Sequence, residues 1–178
     1  FVVGHDYYSK NLDINTVDIA WSPDMFTGHL VTLPKIYAGC GINNYVFSRN
    51  SPKDKKIFWW KSKDGSKMLA YKIPGHYTPN YRNLPKLIKS WTEIAGYDSP
   101  MVTIGEGDHG GGPNEGDFRT IKLLSNKENI DFEFTSPEKY FEELRDSGMN
   151  WPIQEMEFGV QPNGGQWLGC YTSQAIIK

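Results

Sequence analysis

Hydrophobic and polar residues follow one another along the first half of the chain in a pattern that predicts strands alternating with helices. Runs of β-branched and aromatic residues at 17–21 and 45–47 predict strands. Between them, 33–37 carries proline near the start of a predicted helix, and the glycines of 39–41 mark its end. Strand, helix and strand in this order are typical of parallel βαβ units. The sequence therefore predicts an α/β fold with a parallel sheet.

Further elements follow from the same pattern. The apolar runs 58–60 and 67–71 flank Asp64-Gly65, which predicts a β-hairpin. Apolar positions at helical spacing predict a helix over 84–95 that stops at Gly96. The remaining predictions are helices over 1–12, 115–124 and from Ser136 to near Gly148, the opening of a helix over 170–178, and strands at 101–104 and 130–134.

The loop 105–113 is the stretch that most suggests chemistry. It holds five glycines in nine residues and directly follows the predicted buried strand at 101–104. Asp108 and His109 lie at its centre, and a carboxylate and an imidazole are suited to proton transfer or metal binding. Ligands in α/β folds collect outside the carboxyl ends of the strands, where this loop is expected. A flexible surface turn is the alternative interpretation of the same composition.

A second carboxylate follows the first predicted strand. Asp24 comes after 17–21, and His29 follows it closely, so an acid and an imidazole again reach the end of a strand. Asp24 could instead cap the following helix. Of the other histidines, His5 is expected to be an ordinary helix residue and His76, like His29, a structural one; His109 is expected either to orient its loop or to contact substrate.

Composition and charge exclude several partners. The 178 residues carry a formal net charge of −2 with no basic block, which argues against nucleic acid and anionic membranes as partners. No apolar run approaches the length of a membrane span, and no signal peptide is visible. Cys40 and Cys170 lack metal-binding spacing and are expected to be reduced, which predicts a cytoplasmic protein.

Several stretches together resemble glycoside hydrolase family 38, the retaining α-mannosidases. The stretches that carry the resemblance are Pro23-Asp24-x-Phe26, Leu33-Pro34-x-Ile36, Gly39-Cys40-Gly41, Tyr45-x-Phe47-x-Arg49, Gly107-Asp108-His109-Gly110-Gly111-Gly112-Pro113 and Gly169-Cys170-Tyr171-Thr172-Ser173-Gln174-Ala175. They occur in the family's order from near the first residue to near the last. The sequence is therefore identified as a member of this family.

The resemblance implies a distorted parallel (β/α) barrel that hydrolyses α-mannosides with the help of zinc. Asp24 corresponds to the nucleophile, which is also a zinc ligand, and Asp108 corresponds to the general acid/base. Arg49 resembles the arginine that hydrogen-bonds the carboxylate on the sugar side. Tyr77 is similar to a substrate-contacting tyrosine, and His109 is a further candidate for substrate contact. A retaining glycosidase needs its two carboxyl groups about 5 Å apart.

Three departures from the family pattern are visible. The sequence has no His-x-Asp pair, which supplies two zinc ligands on the family's opening strand, and no histidine beside the Gly169 stretch; Thr27 also lengthens the spacing from Asp24 to Leu33 by one residue. We therefore expect an incomplete barrel without its first strand, with the remaining zinc ligands outside this chain. The chain alone is expected to be inactive, and its partners are expected to be the remainder of a mannosidase or further copies of itself, besides an α-mannoside glycan.

The resemblance also predicts a domain division and leaves alternatives. Residues 1–153 are expected to form the partial catalytic domain, and 154–178 a loop with the start of a helical domain. A metal-dependent polysaccharide deacetylase-like barrel is a second enzyme interpretation, although deacetylation needs more histidines than this chain has. A non-catalytic sugar-binding or assembly fragment is the third.

Overall fold

The computed structural model describes residues 2–14, 17–25, 28–52, 54–107 and 111–158. Within these ranges the chain forms five helices and five strands. They are α1 Val2–Leu12, β1 Ile19–Ser22, α2 Leu33–Ala38, β2 Asn44–Phe47, β3 Ile57–Lys61, β4 Lys67–Lys72, α3 Leu84–Ala95, α4 Glu115–Glu128, α5 Pro137–Asp146 and β5 Ile153–Gln154.

The five strands form one sheet in the order β1-β2-β4-β3-β5. All neighbouring strands are parallel except β3 and β4, which form the predicted hairpin around Asp64-Gly65. Ser22, Phe47 and Lys72 lie side by side in the register of β1, β2 and β4. Because these strands are parallel and level, their carboxyl ends open at the same edge of the sheet, where ligands of α/β folds bind.

Helices cover both faces of this sheet. On one face, Val46, Leu69 and Tyr71 pack against α3 and α5. On the other face, buried strand residues pack with Tyr37 of α2 and with Phe158. The prediction of an α/β fold with a mostly parallel sheet is confirmed. Among the described residues the sheet is open, so its closure into a barrel stays a prediction.

The helix boundaries follow the expected capping chemistry. Ser136 caps α5 by accepting from the Lys139 main-chain N–H, and α3 ends at Gly96 in the left-handed region. The predicted helix at 115–124 is present and continues to Glu128. The weak amphipathic pattern over 1–12 also forms a helix, but α1 buries none of its residues. In the described ranges no helix is long and apolar enough to cross a membrane.

Two predicted strands are wrong. Residues 101–104 lie beside β4 and the chain that follows it, joined to them by side-chain hydroxyls: Tyr71 of β4 donates to the Met101 carbonyl, and Thr103 donates to the Tyr77 carbonyl. Residues 130–134 alternate apolar and acidic positions, but Phe134 contacts Phe118 of α4 instead of a strand. In both cases side-chain contacts take the place of the backbone hydrogen bonds between strands that the sequence pattern predicted.

The end of the described chain belongs to the sheet. β5, which the sequence pattern did not indicate, pairs with β3, and Phe158 forms an antiparallel bridge with His29. The predicted helix at 170–178 and Cys170 lie outside the described residues. The division at 153/154 therefore stays a prediction.

Candidate active site

The candidate site lies at the edge of the sheet where β1, β2 and β4 end. Asp24 follows β1, Arg49 follows β2 and Tyr77 follows β4. The parallel register brings these three positions together although up to 53 residues separate them in the sequence. Sequence reasoning singled out all three.

Asp24 and Arg49 form an ion pair in which the Arg49 Nε–H donates to the Asp24 carboxylate. Burial alone would lower the pKa of Arg49, but its hydrogen bonds to Asp24 and Tyr77, and their charges, raise it above the ordinary value. The guanidinium therefore stays charged beside the Asp24 carboxylate. Asp24 does not cap α2, because Thr32 occupies the N-cap position of that helix.

A cavity of about 420 Å³ opens beside this pair. Asp24 and Tyr77 line it, together with the half-exposed Trp21 and with Gly107 at the start of the glycine-rich loop. The cavity thus combines a carboxylate with aromatic surface, a combination suited to a sugar, which presents both hydroxyls and apolar C–H faces. A second cavity of about 550 Å³ adjoins Trp21 on the side of residues 99–104 and 131–137.

Tyr77 connects the ion pair to the glycine-rich loop. Its side chain is largely buried and hydrogen-bonds to Arg49. A Cβ atom at Gly107 would lie 2.7 Å from Tyr77 Cδ2 and 2.8 Å from the Tyr77 carbonyl oxygen. Only glycine fits at this contact without a shift of the neighbouring chain. The loop therefore starts in direct contact with a residue of the site.

Both ends of the glycine-rich loop are fixed. Gly105 has φ of +90°, and a Cβ there would lie 2.6 Å from the nitrogen of Pro113, so the two ends of the loop touch. The Gly105 N–H donates to the Tyr81 hydroxyl at 3.0 Å. Burial raises the pKa of Tyr81, and the nearby Asp117 carboxylate adds to the increase. Asp117 also completes the capping box of α4 with Asn114. The start of α4 therefore supports Tyr81, whose hydroxyl accepts from the Gly105 N–H.

Asp108 and His109, the predicted acid/base and substrate-contacting residues, lie outside the described residues. Their roles stay predictions, as does the expected separation of the Asp24 and Asp108 carboxyl groups. The described neighbours place the start of their loop, Gly107, on the wall of the cavity that Asp24 lines.

Two histidines have the structural environments that the sequence analysis favoured. His29 is fully buried, and His76 stacks near Tyr77 and accepts from the Thr78 N–H. Burial lowers the pKa of His29 from 6.5 to about 4, against a smaller opposing effect of its hydrogen bond to the Arg49 carbonyl. His29 is therefore neutral at physiological pH.

The described residues do not form a zinc site by themselves. Within the part of the chain that the structure describes, no group of three His, Cys, Asp or Glu side chains lies close enough to hold a metal ion. Asp24 is the predicted ligand at the cavity, and its carboxylate is paired with Arg49.

Sequence reasoning missed the groups that hold this site in place. Ser48 and Asn50 flank Arg49 and hydrogen-bond to the chain around Asp24, and Tyr81 holds the glycine-rich loop. The spacing of Asn114 and Asp117 is a signal for a capping box that was available in the sequence. The other contacts join residues 24 or 25 positions apart and have no local signature.

Comparisons with known proteins identify relatives of this chain. The model of the glycosyl hydrolases family 38 N-terminal domain matches residues 1–160. Alpha-mannosidase 2C1 of Mus musculus is 30% identical over 170 residues, which cover 89% of this chain and 16% of the relative. An alpha-mannosidase of Saccharomyces cerevisiae (strain ATCC 204508 / S288c) is 26% identical over 196 residues, which cover 100% of this chain and 18% of the relative. The chain thus spans less than a fifth of the length of these relatives.

A solved structure supports the fold. The crystal structure of an alpha-mannosidase from Enterococcus faecalis V583 matches with a TM-score of 0.65 at 17% sequence identity. The match covers 90% of this chain and 20% of that one.

Proposed function

Because the chain belongs to glycoside hydrolase family 38, we propose that it supplies the nucleophile part of a retaining α-mannosidase site acting on glycans. One observation carries the proposal: Asp24 lies in a cavity at the carboxyl ends of parallel strands, with Arg49 as its ion-pair partner and the glycine-rich loop beside it. A carboxylate oriented by an ion pair at the wall of a cavity is suited to act as a glycosidase nucleophile.

The proposed reaction assigns the two aspartates different roles. Asp24 attacks the anomeric carbon and forms a covalent glycosyl intermediate while Asp108 protonates the leaving oxygen. Asp108 then takes a proton from the water that releases mannose and restores Asp24. Arg49 orients the Asp24 carboxylate for the attack, because its Nε–H donates to that carboxylate in a charge-assisted hydrogen bond. Tyr77 and His109 are the proposed contacts to the bound sugar.

The proposed site also holds zinc, for which this chain would supply one ligand. Asp24 would be one ligand, and the other ligands would come from outside the described residues. The proposed steps therefore involve only side chains of this chain and water. The chain alone is expected to bind zinc weakly and to lack α-mannosidase turnover, because a zinc site normally has four ligands. Tight zinc binding in a calorimetric titration of the chain, with turnover that a chelator abolishes, would contradict this expectation.

The architecture of the whole site is proposed together with its chemistry. Closure of the sheet into a distorted barrel would surround the cavity beside Asp24 with further strands. Residues 1–153 would belong to that catalytic domain, and 154–178 would lead into a helical domain. The family match favours the mannosidase over the deacetylase alternative. The non-catalytic alternative is tested directly by trapping the intermediate.

The test uses the native protein, its Asp24→Asn variant and a fluorinated α-mannosyl fluoride. Such a reagent forms the covalent intermediate and slows its hydrolysis, so the labelled peptide identifies the nucleophile by mass spectrometry. We expect one sugar on the peptide that contains Asp24 and no label in Asp24→Asn. Label on another residue, or β-mannose as the first product released from an α-mannoside in an NMR time course, would overturn the proposal.

A further inference from the structure

Three side-chain hydrogen bonds join the chain around Asp24 to three consecutive residues after β2. Ser48 Oγ donates to the Pro23 carbonyl, and Asn50 Nδ2 donates to the Met25 carbonyl at 2.9 Å. His29 Nε2 lies 3.2 Å from the Arg49 carbonyl oxygen. The contacts of Ser48 and Asn50 hold the chain on either side of Asp24, whereas the contact of His29 holds Arg49.

The partners of His29 determine its tautomer. A carbonyl oxygen can only accept, so Nε2 carries the proton and donates to Arg49. In the neutral ring Nδ1 then accepts, and the Tyr45 hydroxyl donates to it at 2.7 Å. Both ring nitrogens thus form hydrogen bonds, Nδ1 with Tyr45 of β2 and Nε2 with Arg49 just after β2.

The position of the His29 ring is fixed by its surroundings. The ring is fully buried and stacks on Phe158 with 4.3 Å between centroids. Phe47 and Trp60 approach it edge-on. Two backbone hydrogen bonds between His29 and Phe158 hold its main chain. A buried donor with a fixed main chain and a fixed ring direction is suited to holding the carbonyl that it contacts.

We propose that His29 is a positioning residue that holds the Arg49 main chain so that the Arg49 guanidinium points at the Asp24 carboxylate. The proposal rests on the function assigned to Asp24, because the nucleophile role is what makes the orientation of Arg49 matter for catalysis. The His29 side chain hydrogen-bonds to Tyr45 and to the Arg49 carbonyl and is not among the residues that line the cavity, so it acts through Arg49. Loss of its Nε2–H would leave the Arg49 carbonyl without this donor and free the residue to rotate.

Two substitutions separate positioning from ordinary core packing. The amide of glutamine can replace Nε2 of histidine, so His29→Gln can keep the bond to the Arg49 carbonyl. The shorter asparagine reaches only as far as Nδ1, so His29→Asn can keep the bond from Tyr45 and loses the one to Arg49. Each variant removes one buried hydrogen bond of His29 and part of its ring, which makes them a matched pair.

The readout is the Arg49 Nε–H resonance of this chain in ¹⁵N-resolved NMR spectra. In the unmodified chain we expect the bond to Asp24 to slow its exchange with water. We expect exchange to accelerate about tenfold or more in His29→Asn, the effect of losing a charge-assisted hydrogen bond, and to stay within about twofold in His29→Gln. Equal effects of the two variants, or an unchanged Arg49 signal in both, would overturn the proposal.

Kinetics in the native protein give an independent readout. We expect His29→Asn to lower kcat more than it raises KM, since Arg49 acts on the nucleophile. His29→Gln should keep most of the kcat of the unmodified protein. The NMR experiment does not depend on activity. If the native protein lacks mannosidase activity while the Arg49 signal responds as expected, the proposed function fails and the positioning role of His29 stands.

Discussion

At the scale of single residues, we expect the Asp24–Arg49 pair to contribute more to the proposed chemistry than to stability. The exposed fractions of the two side chains are 41% for Asp24 and 27% for Arg49. Water therefore screens their attraction, and pairs of this kind contribute about 1 kcal/mol or less to folding. If Asp24 is the nucleophile as proposed, the same positive charge would act on its carboxylate in every catalytic cycle.

Arg49→Met tests this separation. The substitution keeps an apolar stem and removes the charge and the donor to Asp24. We expect the free energy of unfolding of the chain to fall by about 1 kcal/mol or less in urea titrations. Turnover of an aryl α-mannoside by the native protein carrying the substitution is expected to fall about 100-fold or more.

A second ion pair of similar exposure provides the control. Lys61 pairs with Glu155 at the other end of the sheet from the cavity, with exposed fractions of 35% and 53%. Lys61→Met should change the unfolding free energy as little as Arg49→Met and leave turnover unchanged. Unchanged turnover in Arg49→Met would exclude the assigned role of Arg49.

We expect the buried His29 ring to make the free energy of unfolding depend on pH. Its pKa falls from 6.5 in the unfolded chain to about 4 in the fold because burial disfavours the charged ring. The unfolded state therefore binds a proton first as pH falls below 6.5, and the folded state loses relative stability until about pH 4. The full difference corresponds to about 3 kcal/mol. Urea titrations between pH 7 and 4 should show this loss.

The comparison variant for the pH effect is His29→Gln, which cannot titrate in this range. Its unfolding free energy should depend less steeply on pH between 6.5 and 4 than that of the unmodified chain. Parallel curves for the two proteins would mean that other groups cause the acid sensitivity.

At the scale of elements, the features that the sequence predicted correctly are those whose signals lie in neighbouring residues. The turn at Asp64-Gly65, the Ser136 cap and the periodic pattern of α3 each depend on neighbouring residues. The pairing of Asp24 with Arg49 was also expected, although through family resemblance. The strand predictions at 101–104 and 130–134 failed because pairing depends on which edge is within reach, and alternation of residue types does not contain that information.

The glycine-rich loop gives a prediction at this scale. Gly107→Ala places a Cβ within 2.8 Å of the Tyr77 ring and main-chain oxygen, and a main-chain atom cannot move aside cheaply. We expect a loss of about 1–3 kcal/mol in unfolding free energy, which is typical of overpacking. Gly112→Ala in the same loop meets nothing within 4 Å, so it should stay within about 0.5 kcal/mol. Equal effects in urea titrations would show that the contact with Tyr77 is not constrained.

At the scale of the whole molecule, the sheet has two unequal edges among the described residues. β5 is a two-residue strand and closes one edge, whereas β1 forms the other and, within the described ranges, pairs only with β2. Trp21 on β1 is 46% exposed, so this edge strand also presents apolar surface. An exposed edge strand of this kind is a template for pairing with another chain.

We therefore expect the chain to self-associate through β1, in agreement with the partner prediction made from the sequence. Light scattering coupled to size-exclusion chromatography should show a mean mass that rises with concentration. Trp21→Lys should reduce the association, since a charged side chain on an edge strand opposes pairing with a second copy. Leu123→Lys removes an equally apolar and more exposed side chain from α4, 69% exposed, and should leave the association unchanged. A constant monomer mass at all concentrations, or equal effects of the two lysine variants, would rule out β1 as the interface.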